Sequence, residues 1–259
     1  MDVGGDDGGD GGTGERWSSV ADAWAELWGA LAAPAWPPLL SAAGAGPGSR
    51  VLDVGCGTGE LVGHLLAAGA VTAGVDPAPA MVGRAAERHP AATVVEGDAE
   101  HLPFDDGAFD VVLAVNALQL ADDTGDALAE AARVLAPGGR VGIACWAEGS
   151  RNDLDVVERA VAAAFEEDVP PDGPLRAPGG LEAALTGAGL EVVGSGIVDV
   201  PWTAPDDDRL VRGVLLGEDE RTLRELAPAV LAAAAPFRTP GGAYRLANAF
   251  RWAVARTPA

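Results

Sequence analysis

Apolar residues recur at Trp17, Val20, Trp24, Leu27, Trp28 and Leu31, the three-and-four spacing of one helix face. That spacing predicts an amphipathic helix from Arg16 to about Leu40, ended by Pro34, Pro37 and Pro38. Short apolar runs then alternate with helical ones. RVLDVG (50–55) reads as a buried strand, Glu60 to Ala68 as a helix, AVTAGVD (70–76) as a second strand, and Ala80 to His89 as a helix closed by Pro90. ATVVEGD (92–98) and FDVVLAVNA (109–117) are the next strands; a helix from Asp126 to Leu135 stops at APGG, and RVGIACW (140–146) is the fifth strand. Strands separated by helices of this length must pair in parallel through right-handed crossovers, which predicts an open, doubly wound α/β sheet.

After Trp146 the alternation loosens. Helices are expected over Asp153 to Glu166, Leu181 to Ala188 and Leu223 to Ala235, with strands at LEVVGSGIVDVPW (190–202) and RLANAFRWAVART (245–257) that add to one edge of the sheet. Residues 1–15 are acidic and glycine-rich with almost nothing to bury, so they read as a disordered tail ahead of a single domain over 16–259. Within that domain the expected parts are a lead-in helix that acts as a lid (16–40), a ligand-binding core (50–146) and a helical insertion or second lid (203–240).

Composition changes the picture mainly by exclusion. The formal net charge is -22, so the field repels phosphate backbones and anionic lipid, and neither nucleic acid nor a membrane surface is expected as a partner. All 17 basic residues are arginine. Without lysine there is no Schiff base to pyridoxal phosphate, no phosphate-loop lysine and no tyrosine-lysine pair for hydride transfer. Cys56 and Cys145 are too far apart in sequence to suggest a disulfide framework or a paired zinc knuckle, and no metal site is expected. The acidic start does not look like a secretory signal and no apolar stretch is long enough to span a bilayer, so a cytoplasmic protein is the expectation.

The first strand runs straight into Gly55, Gly57 and Gly59. Ligands of open parallel sheets bind beyond the carboxyl ends of the strands, which is where this loop lies. The spacing is G-x-G-x-G; the dinucleotide fingerprint G-x-G-x-x-G would need a glycine where Glu60 stands, which disfavours a pyrophosphate and a nicotinamide-dependent oxidoreductase. Asp76 closes the second strand at the distance where an acid takes ribose hydroxyls, and Asp98 closes the third. Three carboxylates, Asp53, Asp76 and Asp98, suit a neutral or cationic nucleoside better than a diphosphate.

VLDVGCGTG, GVDPAPAMV, VVEGDAEHLPFDDGAFDVVLA and RVLAPGGRV, in this order over roughly Arg50 to Trp146, resemble the class I S-adenosylmethionine-dependent methyltransferases, in particular the small-molecule enzymes with the type 11 domain. The resemblance implies a Rossmann-like, seven-stranded sheet, mostly parallel with one antiparallel strand near the carboxyl terminus and helices on both faces. It implies S-adenosyl-L-methionine as cofactor and S-adenosyl-L-homocysteine as product. It carries the cofactor site onto Asp53, Gly55, Cys56, Gly57, Thr58, Gly59, Asp76, Pro77, Met81, Asp98, Ala99 and Asn116. In that arrangement Asp53 and the loop face the methionine part, Asp76 the ribose and Met81 the adenine face, while Asp98 and the Ala99 amide meet the adenine edge.

Methyl transfer from a sulfonium is an in-line displacement that draws much of its rate from positioning. His101, on the loop after Asp98, and Asn116, beside the expected sulfonium, are the candidates for direct involvement; Asp22 and Glu26 are weaker candidates for a base. His64 and His89 read as helix-surface residues. Trp17, Trp24, Trp28, Gln119, Trp146 and Trp202 are the candidate walls of a pocket for a flat, apolar acceptor. The expected function is therefore methylation of a small hydrophobic or aromatic metabolite of natural-product type, at oxygen, nitrogen or carbon, by a monomer or homodimer. The alternatives are an inactive cofactor-binding protein of the same fold and the disfavoured oxidoreductase.

Overall fold

A computed structural model describes residues 13–169 and 171–258. The expected tail falls mostly at residues 1–12, outside the described residues. Its last part is not a tail: α1 starts at Thr13 and runs to Leu27. Here the chain also departs from the expected single helix to Leu40. A turn and a short 3-10 segment, Ala33–Ala35, follow α1, and α2 spans Trp36–Ala43. Pro37 and Pro38 open α2 rather than ending α1, because a first-turn residue has no intrahelical partner for its missing N–H.

The central elements follow the pattern closely: β1 (Arg50–Val54), α3 (Glu60–Ala67), β2 (Val71–Asp76), α4 (Pro79–Arg88), β3 (Thr93–Glu96), β4 (Phe109–Val115), α5 (Thr124–Val134) and β5 (Leu135–Trp146). β5 starts earlier than expected. Leu135 pairs with Phe109, the chain then loops out through the APGG segment, and pairing resumes at Arg140 with Val111. Next come α6 (Asp153–Ala164), α7 (Gly180–Gly187), β6 (Glu191–Asp199), β7 (Trp202–Ala204), α8 (Asp207–Val214), α9 (Glu220–Ala234), β8 (Tyr244–Leu246) and β9 (Ala249–Arg256).

Among the described residues the main sheet has seven strands in the order β3-β2-β1-β4-β5-β9-β6. β9 is antiparallel to both β5 and β6, and the other pairs are parallel. This is the Rossmann-like methyltransferase sheet, with both terminal strands on one edge. The central strands β1, β2, β4 and β5 read as apolar runs because helices cover them on both faces, while β6 at the edge is largely exposed. Successive residues alternate between two cores: Val51, Val111, Leu113, Trp146, Phe250 and Val254 face one, while Leu52, Val112, Ile143, Cys145, Ala253 and Ala255 face the other.

The region 203–240 differs from its expectation. Trp202 does not end the sixth strand; it opens β7, which pairs with β8 in a separate two-stranded ribbon. α8 lies within the helical stretch expected over 203–240, but its own bounds are not legible in the sequence. Its apolar positions Leu210, Val211 and Val214 are few, and the charged DDDR run ahead of them hides the period. α8 packs on α1, and α9 on α6.

Candidate active site

The carboxyl ends of β1, β2 and β4 and the underside of α1 enclose a cavity of about 220 Å³. The glycine loop forms its floor. Gly55 has φ +69°, and a Cβ there would collide with the Ala117 methyl, so the bare position is dictated by the neighbouring β4 loop. The Gly55 and Cys56 amides both donate to the Val75 carbonyl, at 2.8 and 3.0 Å, and the Gly57 amide donates to Asp76 Oδ2 at 2.9 Å. The loop is thereby tied to β2. Gly59 does not line the cavity: a Cβ there would press on Ala85 and on the His89 ring of α4, so this glycine serves close packing. His89, expected on the surface, tucks its ring against Gly59 and Gly63, and its Nε2 is enclosed with no partner.

Asp53 is 2% exposed and Asp76 is 7% exposed. Burial, then the charges of Asp76 and Glu60, hold the Asp53 carboxyl well above the usual carboxylate range. Burial also raises Asp76, against the opposing pull of the Ala78 and Gly57 amides. A floor that resists its own ionisation favours a cation above it. Around it stand Glu60, Asp98, Glu100 and Asp122, and no arginine or histidine lines the cavity among the described residues. Glu60, in the slot where a dinucleotide fingerprint has its third glycine, accepts from the Thr58 hydroxyl and pairs with Arg88. A carboxylate here repels a pyrophosphate.

Asp53, Gly55, Cys56, Gly57, Asp76, Pro77, Met81, Asp98, Ala99 and Asn116 all line the cavity, as do Trp17, Trp24 and Trp28. Asn116 sits in the left-handed region, φ +56°, one of the few non-glycine residue types that enter it readily. Thr58 and Gln119 stand one step behind: Thr58 is buried on Glu60, and Gln119 Nε2 donates to Asn116 Oδ1 at 2.9 Å. His101 does not line the cavity. Its side chain is 86% exposed and its Nδ1 lies 3.2 Å from Asp98 Oδ1. Asp22 and Glu26 are turned away as well, paired with Arg84 of α4 and Arg209 of α8; they strap α1 down rather than face the cavity.

Trp146 and Trp202 are core residues rather than walls. Trp146 lies behind Phe250, ring centroids 4.9 Å apart, and it is Phe250 that reaches the cavity. Trp202 ends an indole ladder: Trp17 stands edge-on to Trp24 at 5.1 Å, Trp24 parallels Trp28 at 6.4 Å, and Trp28 stacks on Trp202 at 4.4 Å. No residue of 203–240 lines the cavity. Among the apolar wall residues that sequence reasoning missed are Trp36, Leu31, Leu118, Leu120 and Phe250. Trp36 had a signal, an indole beside the proline pair that opens α2; the others are ordinary apolar positions. Among the described residues no helix is long and apolar enough to cross a membrane.

An acid-floored crevice at strand tips, behind a glycine loop on this sheet order, is the arrangement that the resemblance to class I S-adenosylmethionine-dependent methyltransferases implies. Comparison with known proteins agrees: residues 52–143 match the methyltransferase domain family. An uncharacterized protein of Mycobacterium tuberculosis is 35% identical over 160 residues, covering 60% of this chain and 57% of that relative. The demethylmenaquinone methyltransferase of Beutenbergia cavernae is 40% identical over 105 residues, covering 40% and 44%. The chain thus matches only about half the length of these relatives. Among solved structures, a SAM-dependent methyltransferase from Thermotoga maritima superposes with TM-score 0.56 at 19% identity, covering 94% of this chain and 99% of that one. The (4+2)-cyclase SpnF superposes with TM-score 0.59 at 20% identity, covering 90% and 83%.

Proposed function

We propose that the protein is a methyltransferase that uses S-adenosylmethionine to methylate a small apolar acceptor bearing no anionic group. The observation that carries this reading is the cavity itself, with six carboxylates, no basic side chain, and Trp24, Trp36, Leu31, Leu118 and Phe250 around the remaining wall. The cofactor fits that lining. It brings a sulfonium and an ammonium to an acidic floor, and its ribose to Asp76, whose two oxygens each accept only one amide bond and keep a lone pair free. Met81, buried beside Ala78, offers an adenine ring an apolar face, and Asp98 and Ala99 offer its edge an acceptor and an amide.

When bound, the cofactor supplies an activated methyl group on sulfur. The chain's residues hold, orient and shield. Asp53 and the glycine loop would fix the amino-acid end, Asn116 at the tip of β4 would stand beside the reacting region, and Trp17 and Trp24 of α1 form part of the wall above them. With His101 outside the lining, the proton of an oxygen or nitrogen acceptor passes to a wall carboxylate, Glu100 or Asp122, or to water. The test is incubation with methyl-labelled cofactor and matched neutral and carboxylated aromatic acceptors. Label is expected only in the neutral set. Transfer to the carboxylated set alone would overturn the acceptor class, and binding without transfer to any acceptor in a host extract would favour an inactive cofactor-binding protein.

A further inference from the structure

The acidic lining poses a problem that the lining itself must solve. If the proposed cofactor binds, its amino-acid end brings a carboxylate into a cavity with six acids and no basic side chain. That anion needs hydrogen-bond donors. Three amides of the loop beneath it are already engaged, Gly55 and Cys56 by the Val75 carbonyl and Gly57 by Asp76.

The side-chain donors on the wall can be sorted by what they already do. The Trp28 indole donates to the Gly213 carbonyl at 3.0 Å. Trp36 Nε1 is enclosed away from solvent, without a partner. Trp17 stands edge-on beyond Trp24 and packs toward Ala78 and Met81, at the start of α4. Trp24 is different. Its Nε1 lies 3.8 Å from the place a Cβ on Gly57 would occupy, both residues line the cavity, and no acceptor among the described residues takes its N–H. The ring itself is fixed, wedged between Trp17 and Trp28 on a helix that is strapped to α4 and α8.

We infer that the Trp24 indole N–H is the donor that recognises the carboxylate of the cofactor's amino-acid end. This rests on the methyltransferase reading above and moves Trp24 from the acceptor pocket to the cofactor site. A neutral, rigid donor suits the position. An arginine here would pair with the floor carboxylates in the empty protein and have to be pulled off them, whereas a neutral indole Nε1 close to the loop meets no such competition.

The experiment compares two ligands that differ only in that carboxylate, S-adenosylmethionine and decarboxylated S-adenosylmethionine, by calorimetry on the full chain. Trp24→Phe keeps an aromatic ring and removes the N–H. It is expected to weaken S-adenosylmethionine by about 10- to 100-fold, as for a hydrogen bond to a charged group, and to leave the decarboxylated ligand within about twofold. Replacing Trp24 by benzothienylalanine, which keeps the ring's shape and lacks only the donor, should give the same split and guards against a repacking effect of phenylalanine. Equal losses for both ligands, or no loss for either, would overturn the assignment. Failure of the unaltered protein to bind either ligand would overturn the methyltransferase reading, and the Trp24 assignment with it.

Discussion

The floor of the cavity and the aromatic shell above it are built in opposite ways. The floor comes from residues 50–117, where each functional position is set by a backbone constraint a few residues away: Gly55 by its φ and the nearby β4 loop, Asp76 by the Gly57 and Ala78 amides. The shell comes from distant segments. The indoles of α1 stack through Trp28, just past its end, onto Trp202 of β7, whose own N–H donates to the Leu27 carbonyl at 3.0 Å. Four residues of one type share this ladder, yet the outer members face the cavity and the innermost is buried. On the proposed function, ligand recognition is concentrated in the floor and at the ladder's outer end, and stability in its inner end.

The sharpest way to break that division is Trp202→Ala. Removing a buried indole from the ladder should cost about 3–5 kcal/mol of stability, read from the denaturant midpoint, while cofactor affinity of the folded protein stays within about twofold. A large loss of affinity would mean that the inner ladder also shapes the site. Gly55→Ala should do the reverse. Strain at positive φ and the clash with Ala117 should cost roughly 1–3 kcal/mol and weaken cofactor binding; adding Ala117→Gly should recover part of both, because only the clash is relieved.

The pH dependence sharpens the role of the floor. Asp53 and Asp76 have folded pKa values above their ordinary ones. The stability they contribute to the empty protein is therefore fully present below the ordinary carboxylate pKa and is lost as pH rises through the raised values. A cationic ligand prefers the ionised floor, so its affinity should rise over that same interval, with net release of up to about one proton in calorimetry run in two buffers of different ionisation enthalpy. Proton uptake would contradict the electrostatic picture. The smallest effects are expected at the straps. Asp22→Asn and Glu26→Gln break exposed ion pairs and should each cost under about 1 kcal/mol, visible as faster amide exchange in α1, with turnover nearly unchanged. A collapse of turnover in either variant would restore that residue as a base.

The same contrast explains what could be read from the chain. The strand-helix alternation, the glycine loop and the acids at the strand tips are local, so the sheet and the residues of its floor were legible from spacing. Which way a tryptophan faces depends on partners far along the chain. Nothing near Trp202 in sequence places it against Trp28, and nothing near Trp146 tells that Phe250 stands between it and the cavity. The bounds of α8 are hard to read because its apolar stripe is brief, and the lead-in helix reads as longer than it is because prolines can open a helix as readily as end one. His101 was placed near the site by its proximity to Asp98 in sequence, and that proximity holds its ring on the Asp98 carboxylate at the surface instead.

The central claim is that buried strand-tip carboxylates receive a cationic nucleoside above the glycine loop. Calorimetric titration of S-adenosylmethionine into the unaltered protein and into Asp76→Ala tests it most directly. Saturable binding near one molecule per chain, weakened at least about tenfold by the substitution, is the predicted result. Equal affinity in the two proteins, or no binding to either, would contradict it.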